Sequence, residues 1–227
     1  AVNQHGDRWA DVAEKILNYI PRELRNDKTL LQHVQSVRYV LDRITILVPG
    51  TPQPFDEDGG GGMLGGSEEA VMYLSRQLAK QGRNVRVVCP LPPQRRPGPD
   101  RFGVDWQPVE QWNPDNEQGT LVLWRAPQVL LQLMQQTAER GSPPAGISQA
   151  FLWLHDSSLG MPPHVAEAIS GGCDGAVVLS DFHARMIAQT GYKGKLFKLS
   201  NGIIETDFMH LRPQRDQYKV IYSSCPS

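Results

Sequence analysis

The spacing of hydrophobic residues changes character at residue 44. Before it the pattern is helical. Val12, Ile16, Leu17 and Ile20 recur at helical spacing, with Asp7 able to cap the segment and Pro21 to end it. Leu30, Leu31, Val34, Val37, Val40 and Leu41 then form a second, broader apolar face. Residues 1–43 read as a short helical extension, either of the domain that follows or as the tail of one that precedes it.

From residue 44 short apolar runs alternate with helical ones. Residues 44–48, Ile-Thr-Ile-Leu-Val, suit a strand buried on both faces. A loop rich in Pro and Gly runs to Gly66. Ser67 opens a helix with Ala70, Val71, Leu74 and Leu78 on one side, and Gly82 stops it. Residues 84–88 are the next strand. Such a unit implies a parallel pair with a right-handed crossover. The Pro-rich stretch 90–99 is expected to be an exposed loop. Further strands are expected at 104–109, 120–124, 150–154, 175–179 and 196–199. Helices are expected at 127–140, ended by Gly141, at 164–169, and from the cap Ser180 to Gln189.

This alternation predicts an α/β domain: a Rossmann-like open parallel sheet with helices on both faces, preceded by the helical extension. The continuously apolar runs at 44–48, 85–88, 151–154 and 176–179 are expected to be neighbouring buried strands of that one sheet.

Composition changes the picture little. The chain has 227 residues, 40% of them hydrophobic and 21% charged, within the range of a globular domain. A formal net charge of -1 offers no basic stripe for phosphates, so nucleic acid is not expected as a partner. No apolar run approaches the roughly 20 residues of a membrane-spanning helix. The expected location is the cytoplasm, with work at the periphery of a membrane left open. Cys89, Cys173 and Cys225 lie far apart and read as reduced, structural thiols. Ala1 at the start, and Ser227 just after the strand-like run 218–222, read as the ends of a fragment.

Candidate chemistry lies where strands end, because ligands of open α/β sheets bind beyond the carboxyl ends of the strands. The loop 49–66 delivers the chain to a helix start, whose free N–H groups favour an anion such as a phosphate. Gly65 and Gly66 would let backbone approach such a ligand, with Ser67 beside them. A flexible surface loop explains the same glycines. Gly60, Gly62 and Gly65 spell the dinucleotide fingerprint, but too far from the strand, and no acidic residue ends the second strand. His155 follows the strand 151–154, where it faces either a cleft or nearby backbone. Ser180 caps a helix, and Asn201-Gly202 reads as a turn after a strand. His155, Asp156 and His164 lack the spacing of metal ligands, so no metal is expected.

Taken together these pieces resemble a family. Gly65-Gly66-Ser67-Glu68 before a helix with Leu74, Leu78 and Gly82 resembles the Gly-Gly-x-Glu segment of glycosyltransferase family 4. Residues 177–180 with Phe182 and His183, residues 199–203 with Phe208, and residues 218–223 resemble later segments of that family, in the same order. The resemblance spans residues 44–227. It implies one half of a GT-B fold: 44–212 as the N-terminal, acceptor-side domain and 213–227 as the start of a truncated C-terminal domain, which would be this chain's missing partner. It also implies a retaining, hexosyl-type transferase. The donor would be a nucleotide-diphosphate sugar, the acceptor an unknown sugar, lipid or protein, and no cofactor is needed. His155 matches a histidine set near the transferred sugar, and is the catalytic candidate. Gly65, Gly66, Ser67, Ser180 and Asn201 are the candidates for donor phosphate and substrate. The loop 56–62, Asp-Glu-Asp followed by four glycines, is longer and more acidic than the family's. A sugar-nucleotide epimerase of the same architecture would need a free carboxylate in the cleft, and Asp156 and Glu205 are the nearest. A non-catalytic sugar- or nucleotide-binding module is the remaining alternative.

Overall fold

A computed structural model of the chain describes residue 29 and residues 42–59, 64–117, 119–142, 144, 146–156 and 162–202. The expected extension 1–43, apart from its last two residues and Thr29, lies outside this range. So do the tetraglycine beyond Gly59 and everything after Gly202, including Glu205 and the C-terminal start at 213–227.

The apolar runs fold as strands. β1 (Ile44–Leu47), β2 (Val85–Cys89), β4 (Val104–Pro108), β5 (Gly119–Trp124), β6 (Ile147–Trp153), β7 (Gly175–Val178) and β8 (Leu196–Lys198) all pair in parallel. The order across the sheet is β3-β4-β2-β1-β5-β6-β7-β8. The four strands expected as neighbours share this parallel sheet, but β5 lies between β1 and β6. The stretch expected to be loop contributes one short strand, β3 (Gly98–Pro99), antiparallel to β4. It forms the outer edge, where a proline without an N–H costs no internal ladder bond.

Helices cover both faces. α1 (Gly66–Lys80) buries Val71 and Met72 against Ile46, Val85, Val87 and Trp106. On the other face α2 (Pro127–Arg140), α3 (Pro163–Ile169) and α4 (Asp181–Gln189) bury Leu130, Ile169 and Ile187 against Leu47, Val88, Leu121, Leu152 and Ala176. Alternation along each strand divides the core: Ile46 faces α1 and Leu47 faces the other three helices. Local signals end the helices as expected. Ser180 Oγ accepts from the His183 N–H at 3.1 Å, and Gly141 closes α2 in the left-handed region at φ 73°.

The acidic stretch before the glycines is anchored to the rest of the fold. Phe55 is fully buried, edge-on to Trp106. Glu57 pairs with Arg95 at 2.8 Å and Asp58 with Arg101 at 2.9 Å, while Arg76 donates to the Glu57 carbonyl. These carboxylates are spent on the β4 side of the sheet.

A polar row crosses the face opposite α1. Register places Thr45, Arg86 and Asp105 side by side on β1, β2 and β4. Arg86 bonds Asp105 at 2.9 Å and lies 3.5 Å from Glu117, which accepts from the Thr45 hydroxyl at 2.6 Å. Glu117 is 3% exposed. Arg86→Ala leaves that buried carboxylate without its cation, so we expect a loss of about 3 kcal/mol in urea unfolding at neutral pH. A loss below about 1 kcal/mol, the range of exposed pairs, would show that the Thr45 hydroxyl alone sustains Glu117.

Candidate functional site

The strand order creates a crevice. From β1 the chain moves outward through β2 and β4, then returns to place β5 on the other flank of β1. The connection leaving β1 runs to α1 on one face, and the connection leaving β5 runs to α2 on the other. Connections that diverge in this way leave an opening at the carboxyl ends of the two strands, the usual ligand position in open α/β sheets.

Arg125 stands at that opening, directly after β5. Its φ of 54° is the one left-handed non-glycine conformation among the described residues. Such a conformation costs of order 1–3 kcal/mol and persists where surroundings over-determine it. The surroundings here are specific. The guanidinium grips both oxygens of Asp156, at 2.5 and 2.8 Å, and stacks 4.8 Å from the Trp124 ring. It also lies 3.4 Å from Ser67 Oγ and 4.0 Å from Glu68. One cation thus joins the ends of β5 and β6 to the start of α1.

The start of α1 differs from a bare anion cradle. Glu68, 6% exposed, accepts from the Ser67 hydroxyl at 2.8 Å. A Cβ on Gly65 would meet its Oε2 at 2.6 Å, so the missing side chain at Gly65 makes room for Glu68. Gly66 faces open space.

His155 sits beside this group, its ring 4.9 Å from that of Trp153 and 6.0 Å from that of Trp124. Burial, with the nearby Arg125 charge, lowers its pKa from 6.5 to about 4. The imidazole is therefore neutral near pH 7. Its Nε2 and the Nε1 atoms of Trp124 and Trp153 are buried and find no hydrogen-bond partner among the described residues. The two indoles and the imidazole thus lie together at the ends of two adjacent strands, with these nitrogens inside the protein.

The structure brings Ser67 and His155 together around Arg125, with Gly65 and Gly66 at the adjoining helix start. It does not join Ser180 or Asn201 to them. Ser180 is occupied as the α4 cap, and Asn201 is exposed beyond β8. Asp156, considered above as a proton-abstracting carboxylate, is held at both oxygens by Arg125. Burial pushes up the pKa of the buried Cys89 thiol and of the half-buried Cys173 thiol, so neither is a nucleophile at neutral pH. Among the described residues no three His, Cys, Asp or Glu side chains are grouped to hold a metal ion, and no helix is long and apolar enough to cross a membrane. Arg125 went unnoticed in the sequence, although a lone basic residue directly after the run 120–124 marks a strand end just as His155 does. Compared with family models, curated proteins and solved structures, the chain matches none of them.

The depressed His155 pKa links stability to pH. Between about 6.5 and 4 the unfolded chain binds a proton that the folded chain refuses, so the stability held above 6.5 declines as pH falls through that window. We expect the His155 ring to titrate by NMR with a midpoint near 4, and His155→Gln to flatten the pH dependence of unfolding across the window. A midpoint at 6 or above would mean that water reaches the ring.

Proposed function

We propose that this chain is the acceptor-side half of a two-domain GT-B glycosyltransferase, which moves a sugar from a nucleotide-diphosphate donor to a sugar, lipid or protein acceptor. The observation that carries this reading is His155: a neutral imidazole with an unused Nε2, set between indole rings at the carboxyl edge of a parallel sheet. A neutral imidazole can bond a sugar hydroxyl without introducing charge beside a bond that breaks.

Arg125 would carry the positive charge this wall turns toward a diphosphate, and the open side of Gly66 would allow close backbone approach. Glu68 and Asp156 flank Arg125 with two carboxylates, so a diphosphate would have to compete with them for the guanidinium. The second wall, with most of the donor contacts, would belong to a C-terminal domain. Retention of configuration follows from the family resemblance. The bidentate hold of Arg125 on Asp156 weighs against an epimerase, which needs that carboxylate free. The order of motifs from Gly65 to Asn201 adds support.

Two measurements test the reading. UDP-glucose and GDP-mannose titrated into the 227-residue chain should bind no tighter than about 1 mM, near -4 kcal/mol. Micromolar binding would put the donor site on this wall and overturn the division of labour. In the protein joined to its C-terminal domain, His155→Ala should lower kcat about 100-fold or more, as loss of one transition-state contact does. Unchanged turnover would remove His155 from the chemistry, and no turnover with any common donor would favour a binding module.

A further inference from the structure

An asparagine followed by glycine carries a chemistry of its own. The glycine nitrogen can attack the asparagine amide carbon, and without a Cβ on the glycine little hinders the approach. The attack needs a free N–H, a free side chain and a backbone able to close a ring, which helices, ladders and caps withhold. Four asparagines lie among the described residues, and three of them are withheld in this way. Asn84 accepts at its carbonyl from the Ile44 N–H at 2.8 Å and is followed by Val85, fully buried at the start of β2. Asn113 accepts at its side chain from the Asp115 N–H at 2.9 Å and is followed by Pro114, which has no N–H to offer. Asn116 is followed by Glu117, 3% exposed, whose N–H donates to the Pro114 carbonyl at 3.2 Å. Asn201 differs on every count. β8 ends at Lys198, and the Leu199 N–H donates to the Val178 carbonyl at 2.9 Å. Beyond that bond Asn201 and Gly202 are exposed and belong to no helix or strand. Among the described residues no hydrogen bond engages the Asn201 side chain or the Gly202 N–H. A Cβ on Gly202 would meet nothing within 4 Å, and its φ lies outside the left-handed region.

We propose that Asn201 is a site of spontaneous deamidation. The Gly202 nitrogen bonds to Asn201 Cγ and gives up its proton, the Cγ–Nδ2 bond breaks, and ammonia leaves a succinimide ring. Water then opens the ring at one carbonyl or the other, leaving aspartate or isoaspartate. Water is the only co-reactant, and nothing is oxidised or reduced. The product carries one more negative charge, and as isoaspartate it carries the backbone through its own side-chain carbon. The exit of β8 thus changes with the age of the molecule, whatever the crevice binds. Aspartate before glycine follows the same route by loss of water, and the fold restrains both described pairs. Asp174 accepts from the Ala150 N–H at 2.8 Å, and Gly175 lies in β7. Asp58 pairs with Arg101 at 2.9 Å, and the Gly59 N–H donates to the Asp56 carbonyl at 3.1 Å.

The test uses the full 227-residue chain. It is held for weeks at physiological temperature in neutral buffer, folded or in urea, and then cut with trypsin. Mass spectrometry of the peptide 199–215 reads the exchange of amide for carboxylate, and isoaspartyl methyltransferase labelling reads the rearranged backbone. In the folded chain Asn201 should convert at least about tenfold faster than Asn84, Asn113 or Asn116, which need local opening first. In urea its rate should stay within about threefold of the folded value, while isoaspartate at Asp174 should form faster there, because only Asp174 is held by the fold. Gly202→Val, whose branched side chain enters open space but stiffens the local backbone, should slow the conversion about tenfold or more and leave the melting midpoint in place. An Asn201 amide that survives as long as that of Asn84 would overturn the proposal. So would loss of the amide in urea alone, or an unchanged rate in Gly202→Val.

Discussion

A parallel sheet must be shielded on both faces, and most of this structure follows from that requirement. Residues such as Val87, Val88 and Cys89 are apolar at successive positions because each face meets a layer. Helices follow strands because a parallel return needs a crossover. The requirement applies to the faces and spares the ends. At the carboxyl edge backbone groups and side chains meet solvent, and there the fold can hold polar groups without burying them in its core. Arg125, His155 and Asp156 stand at that edge, one to three residues beyond the ends of β5 and β6.

The local electrostatics follow from the same geometry. His155 lies near enough to the core for burial to hold it neutral, and near enough to Arg125 for that charge to act in the same direction. Arg125 in turn is fixed by Asp156, by Glu68 and by the face of Trp124. The left-handed backbone at Arg125 is the conformational cost of aiming its side chain back across the strand ends. The anionic start of α1 departs from the simple picture of a helix terminus awaiting a phosphate, since Glu68 already lies there.

The sequence disclosed what is local. Continuous apolar runs marked the central strands, Ser180 and Gly141 marked helix ends, and His155 was visible as the residue after an apolar run. What depends on strand order was hidden. Nothing in residues 120–125 says that β5 returns to lie beside β1, so Arg125 did not stand out. Register was equally hidden: Thr45, Arg86 and Asp105 become a row only when three strands align. The strand at Gly98–Pro99 was masked by its proline. Nothing beside the acidic stretch signals its partners, because Arg95 and Arg101 are about 40 positions away.

The two indoles beside His155 give the crevice an optical signal of its own. The chain holds five tryptophans. Trp124 and Trp153 flank the imidazole with their Nε1 groups unbonded, whereas Trp106 is buried in the α1 layer and bonds Asp100 at 2.9 Å. A molecule seated against Arg125, which stacks on Trp124, alters the surroundings of that indole and shifts its emission. A protonated His155 quenches the same emission through its nearby positive charge. Occupancy of the crevice and ionisation of its histidine can therefore be told apart in one cuvette, without a label, by colour and by intensity.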